Sequence, residues 1–213
     1  MTSGFDAIIL AGGRGSRMSG QTKPQLSVGN ATMLEHVLLA VRDARTQVVV
    51  GPSQPVPGGV LLAQEEPPGS GPVAGMAAGL VHVTAPVFAV VAADLPFLTA
   101  EVVAVLLAGL EHDAGADVAL LVDEQGRDQY LLGAWRATRL RAALAGLEPL
   151  SGRAMRDLVR AVEVVRVSVP AGGAELPAWT DVDTPTDLDR ARSHARSHTA
   201  LSPENVRSDP PQK

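Results

Sequence analysis

The chain has no cysteine among its 213 residues. Disulfide-stapled secreted scaffolds and thiolate metal centres are therefore excluded. Aromatic residues reach only 3%, too few for a protein that stacks single-stranded bases on rings. Positive charge is also scarce: a net charge of −5 and a pI near 5.5 give no basic footprint for nucleic acid or an anionic membrane. No apolar run approaches the roughly 20 residues that a bilayer requires. The opening Met1-Thr-Ser-Gly-Phe-Asp6 lacks the basic and then apolar order of a secretory leader. A cytoplasmic protein with no nucleic-acid and no membrane partner is expected. Hydrophobic residues, rich in Ala, Val and Leu, make up 46%, enough for a substantial core at this length.

Glycine and basic residues are concentrated near the start. The run Ala7-Ile-Ile-Leu10 is short and β-branched, as a buried parallel strand would be. It opens into Leu10-Ala-Gly-Gly-Arg-Gly-Ser-Arg-Met18 and continues to Lys23-Pro24. A strand that runs into a glycine-rich loop lets backbone N–H groups approach an anion, and Arg and Lys side chains neutralise the remaining charge. Taken alone, such a loop is as often a surface turn. Two common templates fail. G-x-G-x-x-G from Gly13 places Met18 at the third glycine, and G-x-x-x-x-G-K-[ST] from Gly15 reaches Gly20 but then has Gln21. Nicotinamide-dinucleotide and P-loop sites are thereby disfavoured.

Apolar β-type runs alternate with helical patterns, which predicts an α/β fold with a doubly wound sheet. Strands are expected at Asp6–Leu10, Gln47–Gly51, Val60–Ala63, Val87–Ala92, Asp117–Val122, Gln129–Ala134 and Val164–Val169. Thr32-Met-Leu-Glu35 reads as a capping box opening a helix to Val41. Further helices are expected over Pro72–His82, Ala100–Leu110, Arg136–Ala145, Gly152–Ala161 and Pro185–Ala195, the last with Thr184 at its N-cap. No internal repeat is present. Residues 1–196 read as one domain, and 197–213, polar and containing Pro203, Pro210 and Pro211, as a disordered tail.

A second constellation closes the strand Val87–Ala92. Its continuation, Ala93-Asp94-Leu-Pro-Phe-Leu98, leaves one carboxylate at a strand end. Ligands of open α/β sheets bind at the carboxyl ends of the strands, so Asp94 shares an edge with the glycine loop. A carboxylate there suits Mg²⁺, which is held by one or two carboxylates plus substrate phosphates. The same residue also serves as an ordinary turn former.

Leu10-Ala-Gly-Gly, Arg17-Met18, Lys23-Pro24 and Ala93-Asp94-Leu-Pro-Phe-Leu, in that order, resemble the molybdenum cofactor guanylyltransferase (MobA-like) family of nucleotidyltransferases. Glu65-Glu66-Pro-Pro-Gly-Ser-Gly71-Pro72 is similar to the family's base-reading segment, and Trp179-Thr-Asp181-Val-Asp183-Thr-Pro185 to its late strand-to-helix motif. The likeness spans about residues 5 to 195. It implies a single-domain, Rossmann-like three-layer sandwich with a mostly parallel mixed sheet. It implies nucleotide contacts from Leu10, Ala11, Gly12, Gly13, Gly15, Arg17, Lys23, Glu66, Gly71 and Asp94, with Glu65 as the alternative to Glu66. Arg17, Lys23 and Asp94 would be catalytic, and Mg²⁺ would be held by Asp94 and Asp183. Asp128–Arg136 is similar to the strand facing the acceptor pocket.

The implied reaction moves GMP from GTP to the phosphate of molybdopterin or its molybdenum form, releasing pyrophosphate. Enzymes that make or accept the molybdenum cofactor are the implied protein partners. Cytidylyl transfer to another phosphorylated acceptor, or a non-catalytic nucleotide-binding paralogue, remain the alternatives. Four positions depart from the family pattern: Gly15, near which the family has serine, Ser19 in place of glycine, Thr22 in place of an acidic residue, and Glu66 in place of a shorter aspartate.

Overall fold

The computed structural model describes residues 4–12, 17–18, 21–170 and 176–200, with the backbone alone at 17, 18, 21 and 198–200. The strands are β1 (Asp6–Leu10), β2 (Arg17–Met18), β3 (Gln21–Thr22), β4 (Ser27–Val28), β5 (Ala31–Thr32), β6 (Gln47–Val50), β7 (Leu61–Ala63), β8 (Val87–Ala92), β9 (Val118–Val122), β10 (Asp128–Arg136) and β11 (Val164–Ser168). The helices are α1 (Met33–Ala40), α2 (Pro72–Leu80), α3 (Ala100–His112), α4 (Ala137–Gly146), α5 (Met155–Val159) and α6 (Pro185–Ala200), with a 3₁₀ turn at Lys23–Gln25.

Seven strands form one sheet in the order β11-β9-β10-β8-β1-β6-β7. All are parallel except β10, which runs antiparallel to both β8 and β9. The expected mixed, mostly parallel three-layer sandwich is what forms. Every residue of β1 is buried because both faces of the sheet are covered. Ala7 and Ile9 face the layer of α1 and α3 with Val37, Val103 and Leu106. Ile8 and Leu10 face the layer of α2, α4 and α5 with Met76, Leu140 and Leu158. Each of the fully buried Val, Ile, Leu and Met side chains among these contributes about 1.5–3 kcal/mol. At Gly79 an added Cβ would lie 2.9 Å from both Ile8 Cγ2 and Val50 Cγ2, so α2 lies close against β1 and β6.

The chain leaves β1 towards β6 and β7, then crosses back through α2 to β8 on the other side of β1. The carboxyl ends of β1 and β8 thus flank the point where the strand order reverses, which is where open α/β sheets bind ligands. A third, smaller cluster lies beyond that edge: Leu26, Val28, Met33, Val182, Leu188 and Ala191, with Phe97 against it. It ties the 3₁₀ turn and the β4–β5 hairpin to α6.

The capping box forms as expected, Thr32 Oγ1 accepting from Glu35 N (3.1 Å) and Glu35 Oε2 from Thr32 N (2.7 Å). Two helices differ from expectation by three residues or more at one end. The one predicted from Gly152 starts only at Met155, because Gly152 adopts a left-handed turn (φ 76°) and Arg153 bonds back to the carbonyls of Leu147 and Pro149. The last helix continues to Ala200, so the expected domain end after residue 196 falls inside it. The rest of the predicted tail, 201–213, lies outside the described residues.

Candidate active site

Lys23 is the centre of the site. Its ammonium donates to Asp94 Oδ2 at 2.7 Å and to Asp183 Oδ1 at 2.5 Å, joining residues 71 and 160 positions apart. Its side chain is 9% exposed, against 25% for Asp94 and 66% for Asp183, so the cluster opens to solvent on the Asp183 side. Burial is the largest single influence on the ammonium and works to lower its pKa. Asp94 and Asp183 together outweigh burial and hold the group above its ordinary value.

Each of the three arrives by a local device. Lys23 opens the 3₁₀ turn, with Pro24 fixing the next φ and Leu26 N–H closing on Lys23 O at 3.1 Å. Gln25 ties that turn to the loop after β6, donating to Gln54 Oε1 and Pro55 O, both at 3.1 Å. Asp94 lies two residues past the end of β8, and its carbonyl accepts Val182 N–H at 3.2 Å. Asp183 precedes α6, where Asp187 Oδ2 accepts from the N–H groups of Asp183 (3.2 Å) and Thr184 (2.8 Å). Thr184 Oγ1 accepts in return from Asp187 N at 3.2 Å, a reciprocal N-cap.

The glycine loop lies at the adjoining strand tip. Leu10 O accepts Ala93 N–H (3.0 Å), and Ala11 N–H is donated to Val50 O (2.7 Å), so among the described residues Gly12 is the first amide past β1 with no backbone partner. Gly12 is exposed; Gly13 and Gly15 lie outside the described residues, and so does the Arg17 side chain, although its backbone pairs with Thr22 in the β2–β3 hairpin. Thr22 therefore serves as a hairpin position, and the Lys23 ammonium has two carboxylate partners without an acid at residue 22. Ser19 is outside the described residues.

The segment before α2 separates the two glutamates. Glu65 Oε1 accepts Gly69 N–H at 2.9 Å and is part of the loop's own framework. Glu66 is exposed, with no bond among the described residues. Ser70 anchors the loop by donating to Pro67 O (2.6 Å) and accepting Gly152 N–H on its carbonyl (2.8 Å). Gly71 stands at the N-cap of α2 with φ 97°, a conformation that favours glycine.

Asp128 and Arg136, at the ends of β10, have structural partners. Asp128 forms a two-pronged ion pair with Arg166 (2.8 and 2.9 Å), and Arg136 donates to the carbonyls of Leu110 and Ala116. A register shift between Gln129 and Gly133 bulges the strand between them, and Tyr130 is exposed there.

Three contributors escaped the sequence reading. Gly51, expected only as a strand end, abuts the glycine loop: its added Cβ would lie 2.9 Å from Ala11 C and Gly12 N. Gln54 is the buried anchor for Gln25. Asp181 is the third carboxylate. Partial burial, then Asp183, then Asp94 raise its pKa, with Lys23 partly offsetting them. The i, i+2 spacing of Asp181 and Asp183 around buried Val182 was the available signal, since alternate residues of an extended chain share a face.

Carboxylate oxygens of Asp94 and Asp183 converge on one cation, and hard oxygen donors of this kind fit Mg²⁺. Among the described residues no group of three or more His, Asp or Glu side chains forms a metal site unaided. Mg²⁺ has no need of one, since it retains waters and takes substrate phosphate oxygens.

A family model described as the MobA-like NTP transferase domain matches residues 7–169. The chain is 27% identical over 188 residues to the molybdenum cofactor guanylyltransferase of Rhizobium johnstonii, covering 85% of this chain and 88% of that protein. Among solved structures it resembles molybdopterin-guanine dinucleotide biosynthesis protein A from Archaeoglobus fulgidus (TM-score 0.69, 23% identity, 91% of this chain and 100% of that one). It also resembles 2-C-methyl-D-erythritol 4-phosphate cytidylyltransferase from Thermus thermophilus (TM-score 0.65, 24% identity, 91% and 100%). These two structural likenesses share the fold and leave the base and the acceptor open.

Proposed function

The chain belongs to the MobA-like NTP transferase domain family and is a nucleotidyltransferase, and on that premise we propose that it transfers GMP from GTP to the phosphate of molybdopterin or its molybdenum form. The observation that carries this reading is the convergence of Lys23, Asp94 and Asp183 at the carboxyl edge beside the glycine loop. The acceptor follows the Rhizobium relative's name. The base follows Glu66, whose carboxylate suits the N1–H and N2–H donors of guanine, and whose neighbour Glu65 is already engaged by Gly69.

In this reaction an oxygen of the acceptor phosphate attacks the α-phosphorus of GTP. The bond from that phosphorus to the oxygen bridging it to the β-phosphorus breaks, and pyrophosphate leaves with the electron pair. The nucleophile is already anionic, so the protein's work is positioning and charge stabilisation rather than base catalysis. Loop amides from Gly12 onward, with Gly13 and Gly15, would cradle phosphate oxygens, and Arg17 and Lys23 would neutralise them. Gly71 would let the backbone at the start of α2 pass close to the nucleotide. Asp94 and Asp183 would hold Mg²⁺, which supplies Lewis-acid neutralisation of phosphate charge when bound. A cytoplasmic site of action and hand-over to molybdenum-cofactor enzymes complete the proposal.

The test is purified protein with GTP, Mg²⁺ and molybdopterin, followed by pyrophosphate release and mass spectrometry of the pterin. A pterin heavier by one GMP is expected, and an unchanged pterin would overturn the acceptor. Because the Thermus neighbour is a cytidylyltransferase, a thermal-shift panel of the four NTPs with Mg²⁺ accompanies it. Selective stabilisation by CTP would replace guanine with cytosine. Nucleotide binding without pyrophosphate release on any phosphorylated acceptor would point to the non-catalytic paralogue.

A further inference from the structure

Lysine stands at only two positions in the chain, Lys23 and Lys213, while arginine supplies every other side-chain cation apart from histidine. The one lysine with a described environment sits where two carboxylate oxygens meet, 2.7 and 2.5 Å from its nitrogen. Those oxygens are the ones that would ligate the divalent cation, and Mg²⁺–oxygen distances are about 2.0–2.1 Å. A cation bound to both Asp94 Oδ2 and Asp183 Oδ1 would therefore fall on or beside the volume that Nζ now fills. Two positive centres do not share it.

We propose that Lys23 is a built-in stand-in for the metal: in the nucleotide-free protein its ammonium keeps the Asp94 and Asp183 carboxylates together and keeps divalent cations out, and it gives up that place only when metal arrives with nucleotide. The inference rests on the reading of Asp94 and Asp183 as metal ligands, and adds an order of events to it. The chemistry of the residue fits the role. An ammonium is a compact point charge on a flexible four-carbon stem, able to move from carboxylates to phosphates about a nearly fixed backbone, whereas a guanidinium is a planar fork held by its geometry. The backbone here is fixed, by Pro24, the 3₁₀ turn and the Gln25–Gln54 tie. Charge balance favours the exchange. One ammonium faces the carboxylates of Asp94 and Asp183, with Asp181 close enough to feel both. A metal-bound triphosphate brings two positive charges for those carboxylates and several negative ones for the displaced ammonium. Uptake of metal without nucleotide would strand the ammonium with no anion to receive it.

The experiment measures Mn²⁺ binding to nucleotide-free protein by electron paramagnetic resonance and calorimetry. Lys23→Met is expected to bind Mn²⁺ at least tenfold more tightly than wild type, with the gain abolished by adding Asp94→Asn. Equal or weaker binding by folded Lys23→Met would overturn the proposal. If that variant does not fold, the wild type decides: with only two lysines, acetylation of Lys23 is read against Lys213 by peptide mass spectrometry. Saturating Mn²⁺ alone is expected to leave Lys23 labelling unchanged, and Mn²⁺ with GTP to change it severalfold; a severalfold rise with Mn²⁺ alone would overturn the proposal. Added GTP separates the two readings. Tighter Mn²⁺ binding by Lys23→Met, with no effect of GTP on the wild type, would leave the stand-in role standing and sink the nucleotide site. GTP turnover by a protein in which Mn²⁺ alone displaces Lys23 would do the opposite.

Discussion

Gly51→Ala tests whether the glycine loop is shaped from the neighbouring strand. Gly51 follows β6 with φ 152°, a conformation that L side chains rarely adopt, and its N–H is fixed to Ala63 O at 2.9 Å. An alanine Cβ would lie 2.9 Å from Ala11 C, 2.9 Å from Gly12 N and 3.0 Å from Ala11 O. All three are backbone atoms, so no rotamer change relieves the contact. Restoring an ordinary 3.4 Å separation from 2.9 Å requires about 0.5 Å of movement in the Ala11–Gly12 backbone. Backbone strain of this type costs about 1–3 kcal/mol. At 2–4 °C per kcal/mol for a chain of this size, the melting temperature should fall by roughly 4–8 °C for a central value of 2 kcal/mol.

The same displacement moves the amides proposed to receive phosphate. Misplacement by about 1 Å is worth some hundredfold in rate, so half that distance should reduce kcat/KM by about tenfold. Thermal unfolding and pyrophosphate release with GTP and acceptor are measured on the same preparations. Gly58→Ala is the control, because an added Cβ there meets nothing within 4 Å and its φ is not in the left-handed range; it should stay within about 0.5 kcal/mol of wild type. If Gly51→Ala matches wild type in both measurements, the loop is not held by β6 and the reasoning fails.

Asp94→Ala should keep the fold, since its side chain is a quarter exposed, yet lower turnover by roughly a hundred- to thousandfold, as loss of one electrostatic contact at the reacting phosphate does; pyrophosphate release within threefold of wild type would refute it. Asp6→Ala should do the reverse. Buried Asp6 Oδ2 accepts the N–H groups of Thr84 (2.7 Å) and Ala85 (2.8 Å), and leaving those amides unmet should cost about 2–5 kcal/mol in denaturant unfolding, with nucleotide affinity unchanged. Lys23 should also leave a mark at alkaline pH. Its pKa is raised in the folded chain, so its stabilisation is complete below the unfolded value of about 10.4 and is lost as pH climbs through the higher folded value. The stability difference between wild type and Lys23→Met should therefore shrink above about pH 10.4, and a constant difference would contradict the ion cluster.

The parts of this molecule that were legible in the sequence are those whose cause is local. β1 and β8 carry unbroken apolar runs because both sheet faces are covered, and a six-residue window shows it. The Thr32–Glu35 box is a four-residue device and forms as read. The two short hairpins give no such signal, because β2 to β5 are two residues each, below any hydrophobic period. The last helix runs past its expected end, and its anchors on the third cluster, Leu188, Ala191 and Ala195, all lie within the part that was expected. Two of those three anchors are alanines, too weak to stand out in a polar stretch. The site follows the same rule at longer range. Asp94 could be placed on the loop's edge because strand direction alone determines it. Asp183 could be placed there only through the family resemblance, because the packing of Val182 and α6 onto Leu26, Val28 and Met33, not any local pattern, brings it to Lys23 across 160 positions. Local pattern thus fixes the edge that carries the candidate site, and the satellite core fixes how many carboxylates meet there. A substitution that loosens that core without touching any polar group should weaken the site more than the sheet.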